Sequence, residues 1–263
     1  MRVITSIIKY QVHDTFRSKW LFIYTIFFAI LSYGLVSFSS DSSKVILSLL
    51  NVNTIFIPLA GLIFGTIYFY NNKEYVILIL SQPINRTKLF IGLYLGLSIP
   101  MSIGFIIGTT LPLIFFLKDL TKMYEMLFYL ILGGVFETFI FVSLSFLIAT
   151  INENRMKGLG LAIFLWLLFT VIYDGAVLLT LQTFRNYPLD VFSIVFTVLN
   201  PVDIARLLVI IKFDISALMG YTGALFISFL GSGFGILISF ISLFLWTLLP
   251  LYVGLRWFAK KDF

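Results

Sequence analysis

WLFIYTIFFAILSYGLVSF, residues 20–38, runs for nineteen residues without a charge. An α-helix rises 1.5 Å per residue, so about 20 residues cross a hydrocarbon core of about 30 Å. The stretch is long enough to span and too oily to rest in water. Its surroundings repeat the pattern. Asp41 and Lys44 mark a polar turn, and an apolar run from Val52 to Tyr70 ends at Asn71-Asn72-Lys73-Glu74. Further spans are expected over 89–117, 126–151, 158–181 and about 228–255. Pro100 and Pro112 lie within the third of the six, where a kink is tolerated.

Composition supports the same reading. The 263 residues are 60% hydrophobic and 11% charged, against about 25% charge in an ordinary soluble domain. The chain is therefore expected to be an all-α membrane protein, a single transmembrane domain over 1–263. Trp20–Phe38 has no small-residue cleavage site before Ser39 and reads as a retained helix rather than a leader. Residues 215–255 carry no charge. They allow one long helix after a re-entrant or interfacial piece, or two helices turning at Gly231-Ser232-Gly233.

Charge separates these alternatives. With six spans, the tracts 1–19, 71–88, 151–157 and 256–263 share one side and hold twelve of the eighteen Lys and Arg. That bias favours cytoplasmic N- and C-termini, and a seventh crossing would export Arg256, Lys260 and Lys261. The net charge of +6 is dispersed in short tracts and points to membrane orientation rather than nucleic acid. Within 1–19, Ile4, Ile7, Ile8, Gln11 and Val12 recur at helical spacing opposite Lys9, Asp14 and Arg17. This is the pattern of an amphipathic helix in the interface, with an ordinary extension of the first span as the alternative.

Several chemistries are excluded. There is no Cys and only one His, His13, so thiolate sites and histidine clusters are impossible within this chain. Met123 and Met126 stand at i,i+3, a spacing that suits helix packing more often than a soft metal. No GxxxxGK[ST] phosphate loop occurs, so any ATP used is hydrolysed by another polypeptide. No residue set for catalysis stands out. Glu137 and Asp174 interrupt apolar runs, and each must face protein or water. Each is either a polar point on a path or moving interface, or a neutral acid that fixes packing. No other span offers a basic partner, and no inverted repeat is visible, both of which argue against ion-driven secondary transport.

Two segments between spans stand out. In 71–88, Tyr75 to Leu80 is apolar but too short to cross. It is bounded by Glu74 and Ser81-Gln82-Pro83, with Arg86 and Lys88 beyond. A short rigid element here would suit force transmission from a cytoplasmic partner. In the external or re-entrant stretch 182–227, Asn200-Pro201 reads as a cap and first helical turn, with Asp203 favourable near the dipole. Asp203 and Arg206 are spaced as a local surface pair. Ile204, Leu207, Leu208 and Ile211 form a face that the bundle, lipid headgroups or a partner must cover.

Taken together, four stretches resemble the permease subunit of ABC-2 type transporters, NosY family. They are IIKYQVHDTFRSKW up to Trp20, LSQPINRTKLFIGLYLG from Leu80, NENRMKGLGLAIFLWLLFTVIYDGAVLL from Asn152, and LNPVDIARLLVI from Leu199. The resemblance implies a type V exporter-like fold with an elbow helix at 1–19. It also implies a cytoplasmic coupling helix at 71–88 using Glu74, Tyr75, Leu78, Gln82, Pro83 and Arg86. Glu137 and Asp174 become intramembrane polar points, and Asn200, Pro201, Asp203 and Arg206 an external motif. One departure is that Asn72 stands where relatives carry Glu, which implies a remodelled ATPase contact.

The resemblance further implies a homodimer in the bacterial inner membrane, bound to a cytoplasmic ABC ATPase that holds ATP and Mg. A periplasmic solenoid (NosD-like) protein and a copper lipoprotein would lie outside. The complex would serve maturation of the copper-sulfide centre of nitrous oxide reductase, by moving copper or a sulfur species or by transmitting shape change. The chain itself would hold no cofactor. The alternatives are an ABC-2 exporter of lipid, polysaccharide, peptide or drug, and a membrane anchor or assembly factor working without nucleotide.

Overall fold

The structure, a computed structural model, describes residues 2–39, 41–116, 120–184, 190–210 and 233–261. The expected turn at Gly231-Ser232 and the stretches 185–189 and 211–227 lie outside the described residues. All secondary structure among the described residues is helical. The elements are α1 (Arg2–Phe16), α2 (Lys19–Phe38), α3 (Ser42–Asn71), α4 (Lys73–Leu80), α5 (Arg86–Phe116) and α6 (Leu120–Ile151). They continue with α7 (Arg155–Leu167), a π-helical turn (Leu168–Ile172), α8 (Tyr173–Thr183), α9 (Asp190–Leu199), α10 (Pro201–Ile210) and α11 (Gly233–Lys260). Six are long and apolar enough to cross a membrane: α2, α3, α5, α6, the continuous α7–α8 run and α11.

The starts of three spans are set by short polar side chains that satisfy otherwise orphaned N–H groups. The Asp41 carboxylate accepts from Ser43 N at 3.0 Å and starts α3. Asn85 does the same for Thr87 N at 2.9 Å before α5, and Asn154 for Met156 N at 2.9 Å before α7. The second span therefore begins at Ser42 rather than near Val52. The added turns are not solvated, since Val45, Ile46, Leu49 and Leu50 pack with Leu113 and Leu130. Met123 and Met126 lie against this same apolar cluster, which accounts for their spacing.

Two helices form the centre. In α5 and α6, 67% of the most apolar window is buried, against 22% in α2 and 11% in α7–α8. Around them α1 and α2 rest on α5, while α3, α10 and α11 rest on α6. In lipid no hydrophobic force draws helices together, so close backbone approach and dispersion must do it. Three glycine pairs at i,i+4 provide that approach. A Cβ on Gly104 or Gly108 of α5 would meet Thr25 Oγ1 at 2.6 Å or the Thr25 carbonyl at 2.5 Å on α2. One on Gly92 would meet Ile7 at 2.5 Å, and one on Gly96 would strike Gln11, which seats the elbow helix. Gly61 and Gly65 of α3 bear likewise on Phe141 and Ser145 of α6.

Where α3, α5, α6 and α11 converge near the α4 end, the gap is filled by rings. Phe90 lies 5.6 Å from Phe146 and 5.1 Å from Phe258, and Phe69 lies 5.3 Å from Phe146. The Phe90–Phe146 and Phe69–Phe146 pairs meet edge to face and Phe90–Phe258 is tilted; well-placed ring pairs add about 0.5–1.5 kcal/mol each beyond area burial. The Tyr94 hydroxyl donates to Phe139 O at 3.0 Å, tying α5 to α6. Gly108→Leu, which forces a side chain into the Thr25 backbone, should destabilise by about 1–3 kcal/mol and lower the thermal unfolding temperature in detergent. Gly34→Ala, where a Cβ meets nothing within 4 Å, should leave it unchanged or raise it.

Candidate functional site

The first candidate region is α4 and its loop. Glu74, Ile77, Leu78, Ser81, Gln82 and Pro83 are exposed, while Val76 is buried and Tyr75, Ile79 and Leu80 face the bundle. At helical spacing, 74, 77, 78 and 81 make one outward face. It offers one carboxylate and two large apolar side chains at the end of the molecule. Tyr75 turns inward and stacks on Tyr10 of α1, ring centroids 5.9 Å apart. Burial raises the pKa of the Tyr75 hydroxyl above its ordinary value, and a hydrogen bond from Gln11 opposes part of that rise.

Arg86 is differently engaged. Its guanidinium donates to Ala259 O at 3.0 Å and Lys261 O at 2.6 Å, binding the last carbonyls of α11. A cation there also suits the negative end of the helix dipole. The loop after α4 is thus tied to the end of the last span. Asn72, at the position of the family departure, donates to Tyr68 O at 2.9 Å. Its amide is spent inside the chain. Of the six residues expected to couple, four lie outward. The sequence reading missed Ile77, although its place three residues from both Glu74 and Leu80 was visible.

The second region is the hairpin of α9 and α10, bent by 112° at Asn200. Asn200 is fully buried. Its Oδ1 accepts from Val202 N at 3.1 Å as a cap, and its Nδ2 donates to Asp203 and to Phe169 O, each at 3.0 Å. Phe169 lies in the π-helical turn that interrupts span five. Such turns leave a carbonyl without its usual partner and recur at functional sites. The Tyr173 hydroxyl donates to Phe196 O at 2.6 Å, and Ser242 of α11 to Val198 O at 3.0 Å. The bend is therefore held from span five on one side and span six on the other.

Two expectations change here. Asp203 and Arg206 were expected to form a local surface pair, but Arg206 reaches across to Asp174 of α8 at 3.5 Å while Asp203 takes Asn200. The guanidinium thus supplies the basic partner that the spans lack. It also acts electrostatically on Glu137, which is buried in α6 with Oε2 outside any hydrogen bond. The apolar face of α10 is covered by the bundle, with Ile204, Ala205, Leu208 and Val209 buried, and Gly133 of α6 allows Ala205 to approach. Ile211 lies outside the described residues. Among the described residues no group of three His, Asp or Glu side chains is arranged to hold a metal.

A cavity of about 500 Å³ opens between α1, α2 and α3. Asp14, Asn71, Asn72 and Arg155 stand among its polar residues, and Trp20, Tyr24 and Phe64 among its aromatic ones.

This arrangement defines a polytopic α-helical membrane protein: among the described residues, six helices long and apolar enough to cross, an N-terminal helix packed on α5, a short exposed helix at one end and a bent hairpin set into the bundle. No family model matches the chain. It is 24% identical over 240 residues to the probable ABC transporter permease protein NosY of Pseudomonas aeruginosa, covering 84% of this chain and 86% of that protein. It is 25% identical over 238 residues to the probable ABC transporter permease protein NosY of Stutzerimonas stutzeri, covering 81% and 83%. The resemblance to NosY-type ABC permeases extends over more than four-fifths of the chain and supports an ABC permease role.

Asn200→Ala removes a buried cap and leaves Phe169 O without its donor. The expected loss is about 1–3 kcal/mol, read as a lower unfolding temperature, with faster amide exchange around 168–173. Asn200→Asp keeps the cap but sets a second buried carboxylate oxygen against Asp203 and Phe169 O, and should cost at least as much as the alanine.

Proposed function

We propose that the chain is the permease subunit of an ATP-driven ABC complex that supports maturation of the copper-sulfide centre of nitrous oxide reductase. In this reading it works as a homodimer in the bacterial inner membrane, and a separate ABC ATPase holds ATP and Mg. The chain transmits ATPase-driven movement to a periplasmic solenoid (NosD-like) protein, beside a copper lipoprotein. The supporting observation is the pairing of two ends: an exposed knob at α4, and a hairpin fastened to the π-helical turn of span five. Donor chemistry favours transmission over passage of copper, because a chain with no Cys and one His has no ladder of soft ligands to pass the ion along.

The knob makes the reading testable. Tagged protein in mild detergent should bring down a nucleotide-binding subunit. Leu78→Asp puts a charge on the exposed apolar face and should abolish that co-purification while leaving the stability in detergent within about 0.5 kcal/mol of wild type, as for other surface changes. Co-purification that is unaffected by L78D, or that never brings down an ATPase, contradicts the proposal. A second reading, an exporter of lipid or another amphiphile, is favoured by the cavity of about 500 Å³, whose mixed polar and aromatic lining would suit such a cargo.

A further inference from the structure

At the end of the bundle where α6 stops and α11 stops lies a second cavity of about 460 Å³. Its wall holds Arg256, Trp257 and Lys260 from α11 and Lys261 just beyond it, with Thr150 from the end of α6 and Glu153 after it. The three cations are not equivalent. Lys261 donates to Thr150 O at 3.0 Å and pairs with Glu153 at 3.6 Å, so its charge is met and its side chain fastens α11 to the end of α6. Arg256 is held by a neutral group: its guanidinium donates to the Tyr252 hydroxyl at 2.8 Å and lies 5.1 Å from the ring centroid. That contact orients the guanidinium without neutralising it. Lys260 has no acidic partner among the described residues. Among the described residues neither Arg256 nor Lys260 meets a carboxylate at the cavity.

The surface leading away from the cavity has a complementary order. Leu245, Leu249, Tyr252, Arg256 and Lys260 follow at steps of four, three, four and four residues, one stripe along α11. Leu245, Leu249, Tyr252 and the neighbouring Trp257 are exposed. Moving toward the end of the helix, the stripe passes from aliphatic to aromatic to basic. That is the order of acyl chain, interface and phosphate in a phospholipid, with Trp and Tyr at their preferred depth. Basic pockets between membrane helices suit anionic headgroups.

We propose that this cavity is a binding site for an anionic phospholipid. Arg256 and Lys260 meet the headgroup phosphate, Trp257 and Tyr252 lie at the glycerol level, and the Leu245–Leu249 face carries an acyl chain. The bound lipid would fill the junction that Lys261, Thr150 and Glu153 close from the inside, stiffening the end of span six against α6. The proposal stands apart from the function given above, since it needs neither an ATPase nor a cargo.

The test uses the full chain, delipidated in mild detergent and observed by native mass spectrometry. Added phosphatidylglycerol should be retained as one adduct per chain, at least about tenfold more than phosphatidylcholine. The double variant Arg256→Gln/Lys260→Gln should weaken retention by roughly 30-fold, the factor expected when two surface cations are lost. Arg256→Lys/Lys260→Arg should keep most of it. The glutamine variant's unfolding temperature without lipid, equal to wild type, separates a lost site from a lost fold. If that temperature falls, retention by the charge-keeping variant decides: loss there as well overturns the proposal. Equal retention of the two lipids, or an unchanged glutamine variant, also overturns it. Displacement by inorganic phosphate at equal concentration would assign the cavity to a free anion and reject the lipid.

Discussion

In a bilayer, the close approach of backbones has to replace the hydrophobic force that assembles soluble bundles. Here that approach is made at glycine pairs one helical turn apart, and most of them lie on α5 and on the α3 face that meets α6. The consequence is a division of labour among helices. Gly104 and Gly108 draw α2 onto α5, Gly92 and Gly96 seat α1 on the same helix, and Gly61 and Gly65 press α3 onto α6. The inner helices α5 and α6 become the fixed reference of the molecule. The outer helices, most of all α7–α8, keep one face free for lipid or for a second copy.

That frame connects the two candidate regions. The α4 loop reaches α11 through Arg86, and the end of α11 reaches the end of α6 through Lys261. Rings from α3, α5, α6 and α11 interlock in the same layer. At close packing density such a layer shifts as a body rather than deforming continuously. In the proposed transmission, displacement of the α4 end would pass to α6, whose other half carries Glu137 and packs against α10. Among the described residues no chain of polar groups links one region to the other. The coupling available is steric, through apolar packing with polar ties at its ends.

The spans were legible because their signal is one of quantity. Nineteen uncharged residues in a row, and basic residues gathered at alternate gaps, need no partner to be understood. The start of α3 was not legible from hydropathy, since Asp41 and Lys44 lie in a polar interval; the decisive fact is that Asp41 caps the helix. The spacing of Gly61 with Gly65, Gly92 with Gly96 and Gly104 with Gly108 was in plain view and marks helix contacts, yet it names no partner. The partnership of Arg206 with Asp174 was hidden for a different reason. It is set by a 112° bend and a π-helical turn, and neither leaves a periodic trace in the sequence.

The π-helical turn explains why the polar groups sit together at one depth. In the turn the Tyr173 N–H goes to Leu168 O, five residues back, and Phe169 O accepts from Asn200 Nδ2 at 3.0 Å. The same turn sets the angular position of everything beyond, including Tyr173 and Asp174. Returning the turn to α-helical register would rotate α8 by about 100° relative to α7. Asn200 would lose its contact with Phe169 O, and Asp174 would swing away from Arg206. Arg206 would then stand against Glu137 and Asp203 alone. Each of these contacts is short-ranged and buried or half-buried, so they break together or hold together. A hairpin fastened in this way follows the register of span five as one unit.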